Sequence, residues 1–373
     1  MLKRYDIHNF KNHADTSLYL GNLTILTGIN GMGKSSVIQS MLILRESFQK
    51  MPQMQVLSLD GNAFNVGGTA ALVNRSVETE QNVLKLAITT DEGLAEFSYQ
   101  YPIGDSNELE LREGSEVPDP GWLKGMSLFN DHFQYLSAFR IGPQSVYFSQ
   151  TNVVDRHRQI SSKMGMGEFA VYFLSKFGQE DIPVEALAFE ASTSLNLIQQ
   201  VELWMGEISE GVRLRIDQNG SQYDLQYGYE QSGRPTVFHS AFNTGFGISY
   251  VLGLVVAILS AKPDSLILIE NPEAHIHPSG QSSLMRLISL AAANGVQIIL
   301  ETHSDHIING ALVNWKLNKL DKDLLSVYYF DRDDKLNAFP VRLKVGENGR
   351  IQRAPEGFFD QMKTDLEVLF DLD

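Results

Sequence analysis

The chain contains no cysteine. Disulfides, thiolate nucleophiles, zinc fingers and iron–sulfur clusters are thereby excluded together. A basic excess is also missing: 30 Lys and Arg stand against 45 Asp and Glu, a net charge of -15 at pH 7. Such a surface repels phosphate backbones on average, which argues against nucleic acid as the main partner and leaves room only for a local basic groove. Long apolar runs are absent as well. The longest, Tyr250–Ala261, falls well short of the ~18 residues that span a bilayer. The basic start, M-L-K-R-Y-D-I-H-N-F-K, has no apolar segment behind it. Neither a signal peptide nor a membrane partner is expected, and a reducing cytoplasm is the expected location. What is present is ordinary globular usage, 43% hydrophobic and 20% charged over 373 residues. That suits one large α/β domain with an insertion, or two domains.

Periodicity predicts the organisation. Leu2–Ile7 and Leu23–Thr27 read as strands, with the polar Asn9–Leu20 between them. Ser35–Ser47 carries one apolar face at helical spacing. Val83–Thr89 and Ala95–Tyr101 alternate, so residues 52–117 are expected to form an antiparallel meander. Phe133–Phe139 is a further strand, ended by Ile141-Gly142-Pro143. Helical spacing follows in Glu168–Phe177 and Leu187–Ile208, then alternation in Arg213–Ile216 and Tyr223–Tyr229. A long apolar helix is expected from Gly245 to Ala261. Ser265–Ile269 and Gln297–Leu300 are continuous apolar runs, as strands buried on both faces require, and the helix Gln281–Ala293 between them makes a βαβ unit. Leu325–Asp331 and Leu336–Leu343 read as a hairpin.

The sharpest chemical signal is Gly28-Ile29-Asn30-Gly31-Met32-Gly33-Lys34-Ser35. It matches G-x-x-x-x-G-K-[ST] and sits between a strand and a helix, the context a phosphate-binding loop needs. Glycines let backbone N–H groups turn onto phosphate oxygens, and the helix start adds partial positive charge. Lys34 is expected to reach the β- and γ-phosphates of ATP, and the Ser35 hydroxyl to bind Mg²⁺. Gly28, Asn30, Gly31, Gly33 and Ser36 complete the candidate nucleotide contacts. Such a site needs an acid at the end of a neighbouring buried strand. Leu266-Ile267-Leu268-Ile269-Glu270 provides one, followed by Asn271-Pro272-Glu273-Ala274-His275-Ile276-His277-Pro278, and Glu301-Thr302-His303-Ser304 follows the next strand.

These segments resemble the ABC-type ATPase heads of the SMC/RecF/OLD group, and in particular small prokaryotic ATPases whose second motif reads E-N-P-E-x-H-x-H-P. The resemblance covers roughly residues 1–50, 133–145 and 235–373. It implies a RecA-like P-loop α/β core with an antiparallel β-subdomain and an inserted helical lobe. The division it implies is 1–150 for the first part of the nucleotide lobe, 151–235 for the insertion, and 236–373 for the part that completes the core. It makes Glu270 the metal-side acid and His303 the switch histidine that bonds the γ-phosphate. Asn243 and Gly245 fall on the signature segment, which in the group binds the ATP held by a partner protomer. Gln144 falls on the loop that positions Mg²⁺ or water. Two departures stand out. Glu270 replaces the usual Asp, and Asn271 stands where many ABC ATPases keep the catalytic Glu. An amide cannot act as a general base at neutral pH. Either Glu273 polarises the attacking water, or hydrolysis is slow and the ATP-bound form long-lived.

The resemblance further implies a head-to-tail homodimer around ATP, or a higher oligomer, acting on a separate effector such as a nuclease, in the manner of prokaryotic anti-phage ATPases. The alternative it implies is a RecF-like DNA-binding repair ATPase. Other constellations are weaker. His275, His277, His303, Asp305 and His306 have short metal-like spacings, but the dimer-contacting loop and switch region account for them. Asp331-Arg332-Asp333 contains D-x-D, yet too few residues follow for the Toprim nuclease of OLD-type proteins, so a solvated hairpin turn is expected. No heptad array is present for SMC-type arms.

Overall fold

The computed structural model describes residues 1–77, 82–162, 164–190, 192–230 and 234–352, with positions 355, 358 and 369. Its centre is a six-stranded sheet of β3 (Leu23–Gly28), β8 (Phe133–Leu136), β13 (Leu266–Glu270), β14 (Gln297–Glu301), β15 (Leu325–Arg332) and β16 (Ala338–Arg342). The order is β16-β15-β3-β14-β13-β8. All neighbours are parallel except the hairpin pair β15 and β16.

Alternation along these strands explains their unbroken apolar runs. Ile267 and Ile269 of β13, Ile298 and Leu300 of β14, and Val327 and Tyr329 of β15 enter one apolar cluster. Leu266 and Leu268, Ile299, and Tyr328 and Phe330 enter the other. Each fully buried Ile or Leu contributes roughly 1.5–3 kcal/mol relative to exposure. The first cluster is covered by α5 (Phe246–Leu259), α6 (Pro278–Ala293) and α7 (Asp305–Lys316), and by α3 (Ala170–Phe177) and α4 (Leu197–Ile208). The second is covered by α1 (Lys34–Lys50) and by an antiparallel sheet of β1 (Leu2–Phe10), β2 (His13–Tyr19), β4 (Val56–Ser58), β5 (Val83–Thr90), β6 (Leu94–Gln100) and β7 (Glu108–Leu111). The short helix α2 (Pro120–Gly125) closes that side. A third sheet holds β9 (Tyr147–Phe148), β10 (Val212–Asn219), β11 (Gln222–Tyr229) and β12 (Phe238–Ser240), and β17 (Lys344–Val345) pairs with β18 (Ile351–Gln352).

Three expectations need correction. The polar Asn9–Leu20 holds a full strand, β2, paired to β1 through partners such as Ile7 and Thr16. Strand β8 stops at Leu136 rather than Phe139, because the Ala138 N–H leaves the sheet to bond the Glu270 carboxylate. Helix α4 starts at Leu197 rather than Leu187. The Gln200 side chain accepts from the Phe189 N–H and donates to the Ser194 carbonyl, so the polar stretch before it stays a turn, as local side-chain bonding favours. Among the described residues no helix is long and apolar enough to cross a membrane.

Candidate functional site

Parallel register sets the site. Strands β3, β14 and β13 end side by side, with Glu270 opposite Glu301 and Glu301 opposite Leu26. The chain leaves β3 at Gly28, which has φ 130° and where a Cβ would meet the Phe330 carbonyl oxygen at 2.3 Å. Only glycine fits there. At Gly33 the backbone has φ 97° and caps α1 without any side-chain bond. The first-turn N–H groups of α1 are therefore free for an anion.

A cavity of about 840 Å³ opens above this loop. Asn30, Gly31, Gly33, Lys34, Ser35 and Ser36 of the loop and helix start line it, together with Glu270, Asn271, Glu301 and His303 from the strand ends. The buried Lys34 Nζ donates to the carbonyls of Gly28 (2.9 Å) and Ile29 (2.7 Å). Burial lowers its pKa, and the Glu301 charge partly restores it. Ser35 Oγ donates to Glu301 Oε1 at 2.9 Å. Glu270 is held by Tyr135 Oη at 3.1 Å and by the Ala138 N–H at 3.2 Å. Burial raises its pKa against those two bonds. Burial also pushes the Glu301 carboxyl up to about 7, opposed by the Ser35 bond and reinforced by the Glu270 charge.

The loop after β13 is pinned by its backbone. Asn271 has φ 46° and donates its N–H to the Glu301 carbonyl at 2.9 Å. Arg140 donates to the carbonyls of Ser137 (2.6 Å), Glu270 (2.6 Å) and Asn271 (2.7 Å), and its guanidinium lies 4.4 Å from the Tyr250 ring of α5. Glu273 accepts from Thr302 Oγ1 at 2.8 Å and from the His303 N–H at 2.9 Å. It thus ties the second motif to the switch segment while lying outside the cavity lining. Burial, then the Lys34 charge, lowers the pKa of His303 and keeps it neutral near pH 7.

The remaining candidates sit apart from this cavity. Gln144 is exposed, and its amide donates to the Gly142 carbonyl at 3.3 Å. Asn243 ends a short turn, Ala241–Asn243, and Gly245 caps the start of α5. That helix is joined to the second motif by Phe246 and Tyr250, whose rings pack on His275 at 4.8 and 5.2 Å. The D-x-D segment is a turn: Asp333 Oδ1 accepts from the N–H groups of Lys335 and Asn337.

Five residues of the site carry no role in the sequence reading: Glu301, Tyr135, Arg140, Asn12 and His13. Glu301 satisfies the same rule as Glu270, an acid ending a buried strand. The other four had no such signal. Asn12, in the β1–β2 turn, and His13, the first residue of β2, both bond the phosphate loop. Asn12 Nδ2 donates to the Gly31 carbonyl at 2.9 Å. His13 is fully buried, with Nε2 3.0 Å from the Gly33 carbonyl and Nδ1 3.0 Å from Thr16 Oγ1.

Known proteins resemble this chain in sequence and in fold. Residues 23–309 match the family described as AAA domain, putative AbiEii toxin, Type IV TA system, and residues 320–369 match a family of unknown function, DUF3696. An OLD nuclease from Thermus scotoductus is 22% identical over 389 aligned positions, which cover 95% of this chain and 69% of that protein. The SmcHead bound to the C-winged helix domain of ScpA covers 92% of this chain and 98% of its own, at 13% identity and a TM-score of 0.53. An Smc head domain with an extended coiled coil, bound to the C-terminal domain of ScpA and derived from Pyrococcus furiosus, covers 99% and 98%, at 12% identity and a TM-score of 0.50. Identities this low speak to the fold alone. On the fold of an SMC-type head, the chain belongs to the AAA-domain ATPase family that its residues 23–309 match.

Proposed function

We propose that this chain binds ATP with Mg²⁺, hydrolyses it, and closes as a head-to-tail homodimer around two nucleotides to control a separate effector in a prokaryotic anti-phage system. One observation carries the reading: Lys34, Ser35 and His303 meet two strand-end carboxylates on a single cavity at the start of α1. The residues fit both groups. The free N–H groups of α1 suit a polyphosphate. Ser35 Oγ, Glu270 and Glu301 are hard oxygen donors, and Mg²⁺ commonly shares one or two carboxylates with substrate phosphates and water. No all-protein cage is required, and none occurs among the described residues. Gln144 joins the metal side only if its amide leaves the Gly142 carbonyl. When bound, the cation neutralises charge on the β- and γ-phosphate oxygens.

The protein's own part is to bind and orient. Lys34 exchanges the Gly28 and Ile29 carbonyls for phosphate oxygens. Neutral His303 donates its ring N–H to the γ-phosphate. Asn271 can orient water but cannot take its proton. We assign that task to Glu273. Each of its oxygens accepts one bond from the switch segment and keeps a further lone pair for water. Because Glu273 holds the His303 N–H, loss of the γ-phosphate at His303 also disturbs Glu273. Asn243 and Gly245, at the open start of α5, meet the nucleotide of the partner copy. Exposed Phe242 and Phe246 beside them, and Ile29 in the loop, are apolar surface that closure would cover.

The effector class rests on the OLD nuclease likeness and on the toxin–antitoxin description of the matched family. The test is light scattering with a phosphate-release assay. Wild-type protein should release phosphate, and Glu273→Gln should dimerise with ATP-Mg and stay dimeric. Phosphate release and mass both indifferent to ATP-Mg would refute the proposal.

A further inference from the structure

Two carboxylates, Glu270 and Glu301, face the metal side of the site, and the structure holds them differently. Glu301 is 4% exposed and lines the nucleotide cavity. Its Oε1 accepts from Ser35 Oγ, while its Oε2 is buried and has no hydrogen-bond partner. A buried carboxylate oxygen left unsatisfied carries the full penalty of its lost hydration. Among the described residues no donor reaches that oxygen, although the Lys34 charge lies near enough to favour the carboxylate. Lys34 Nζ turns to two backbone carbonyls instead, and His303 Nε2 stays 3.9 Å from Oε1. Glu270 is in the opposite condition. Both of its oxygens are taken by protein donors, Tyr135 Oη and the Ala138 N–H. Of the two paired strand-end acids, the one with an oxygen that has no partner at all is the one that touches Ser35.

We infer that Glu301 is the principal metal-positioning carboxylate of this site. The inference rests on the nucleotide-binding reading above. By accepting the only hydroxyl proton of Ser35, Oε1 leaves both lone pairs of that oxygen for a divalent hard cation. Oε2 accepts from a water of that cation and so gains the partner it lacks. Glu270, locked by Tyr135 and Ala138, supports the site as an outer charge.

The test is Mn²⁺ titration by electron paramagnetic resonance, with ATP present, on the full chain. ATP affinity is measured separately in EDTA by calorimetry. Glu301→Gln keeps an acceptor for Ser35 but loses the charge and the second acceptor. It should weaken Mn²⁺ binding about 10- to 100-fold, the usual loss when a metal site's supporting groups are removed. ATP affinity in EDTA should be unchanged, an outcome that a collapsed site would not give. Should the glutamine variant fail to fold by circular dichroism, Glu301→Asp decides, because drawing the carboxylate back by one methylene should also weaken Mn²⁺. A folded Glu301 variant that holds Mn²⁺ as tightly as wild type overturns the inference alone. A wild-type chain that binds no nucleotide overturns the proposed function, and this inference with it.

Discussion

Replacing His13 by glutamine separates the phosphate loop's prop from its charge state. In the folded protein His13 is fully buried between Thr16 Oγ1 and the Gly33 carbonyl. Burial pushes its pKa down to about 4, against the Gly33 bond and with help from the Lys11 charge. In the unfolded chain a histidine titrates near ~6.5. The folded state therefore binds fewer protons between those two values. The stability His13 contributes as a neutral group is present above pH ~6.5 and is lost as the pH falls toward the folded value. At ~1.4 kcal/mol per pH unit, that loss amounts to about 2 kcal/mol between pH 7 and pH 4.5. A glutamine amide can donate to Gly33 and accept from Thr16 without ever charging. Glu301 shifts the opposite way, but it is common to both proteins and cancels in the difference. Urea unfolding of wild type and His13→Gln at both pH values measures the effect. The stability gap should move by about 2 kcal/mol in favour of the variant at the lower pH. A gap that does not change with pH would refute the buried neutral histidine.

Four further outcomes follow from the same geometry. Lys34→Ala should abolish ATP binding by calorimetry while changing thermal stability little, since the two carbonyls it releases can be solvated from the open cavity. Glu273→Gln should stop turnover with ATP affinity retained, and unchanged phosphate release would remove Glu273 from the proton-accepting role. Arg140→Met should cost about 3 kcal/mol in urea unfolding, because three carbonyls, two of them buried, lose a charged donor; a loss below ~1 kcal/mol would show that water replaces it. The ATP-bound form should show no salt-dependent affinity for DNA in fluorescence anisotropy, as a net charge of -15 leads one to expect. Tight, salt-sensitive binding would favour the RecF-like alternative.

How much of this was legible depended on whether a residue's role is local. The phosphate loop was readable because glycine spacing, strand and helix all lie within a few residues of Lys34. The core strands were readable because burial on both faces leaves an unbroken apolar run, as in Leu266–Ile269. Glu301 obeys the rule that marks Glu270, an acid at the end of a buried apolar strand, and is legible by it. Arg140, Tyr135 and His13 were out of reach. Each acts on backbone or carboxylate that is distant in sequence, as with Arg140 and the Glu270 carbonyl, and only the sheet order brings them together. The start of α4 was misplaced for a related reason, since Gln200 binds the chain ahead of it through side-chain bonds that periodicity does not encode.

Both acids end their strands with no loop between sheet and carboxylate. Their separation is thus inherited from the spacing of hydrogen-bonded neighbours, about 4.8 Å. Evolution can lengthen or exchange the surface segments around them without retuning that interval. A one-residue deletion inside either strand, in contrast, would turn its acid to the opposite side of the sheet and exchange the residues offered to the two cores. The chemistry of this protein is ruled to the lattice of its central sheet, and its tolerance for change should end where that lattice begins.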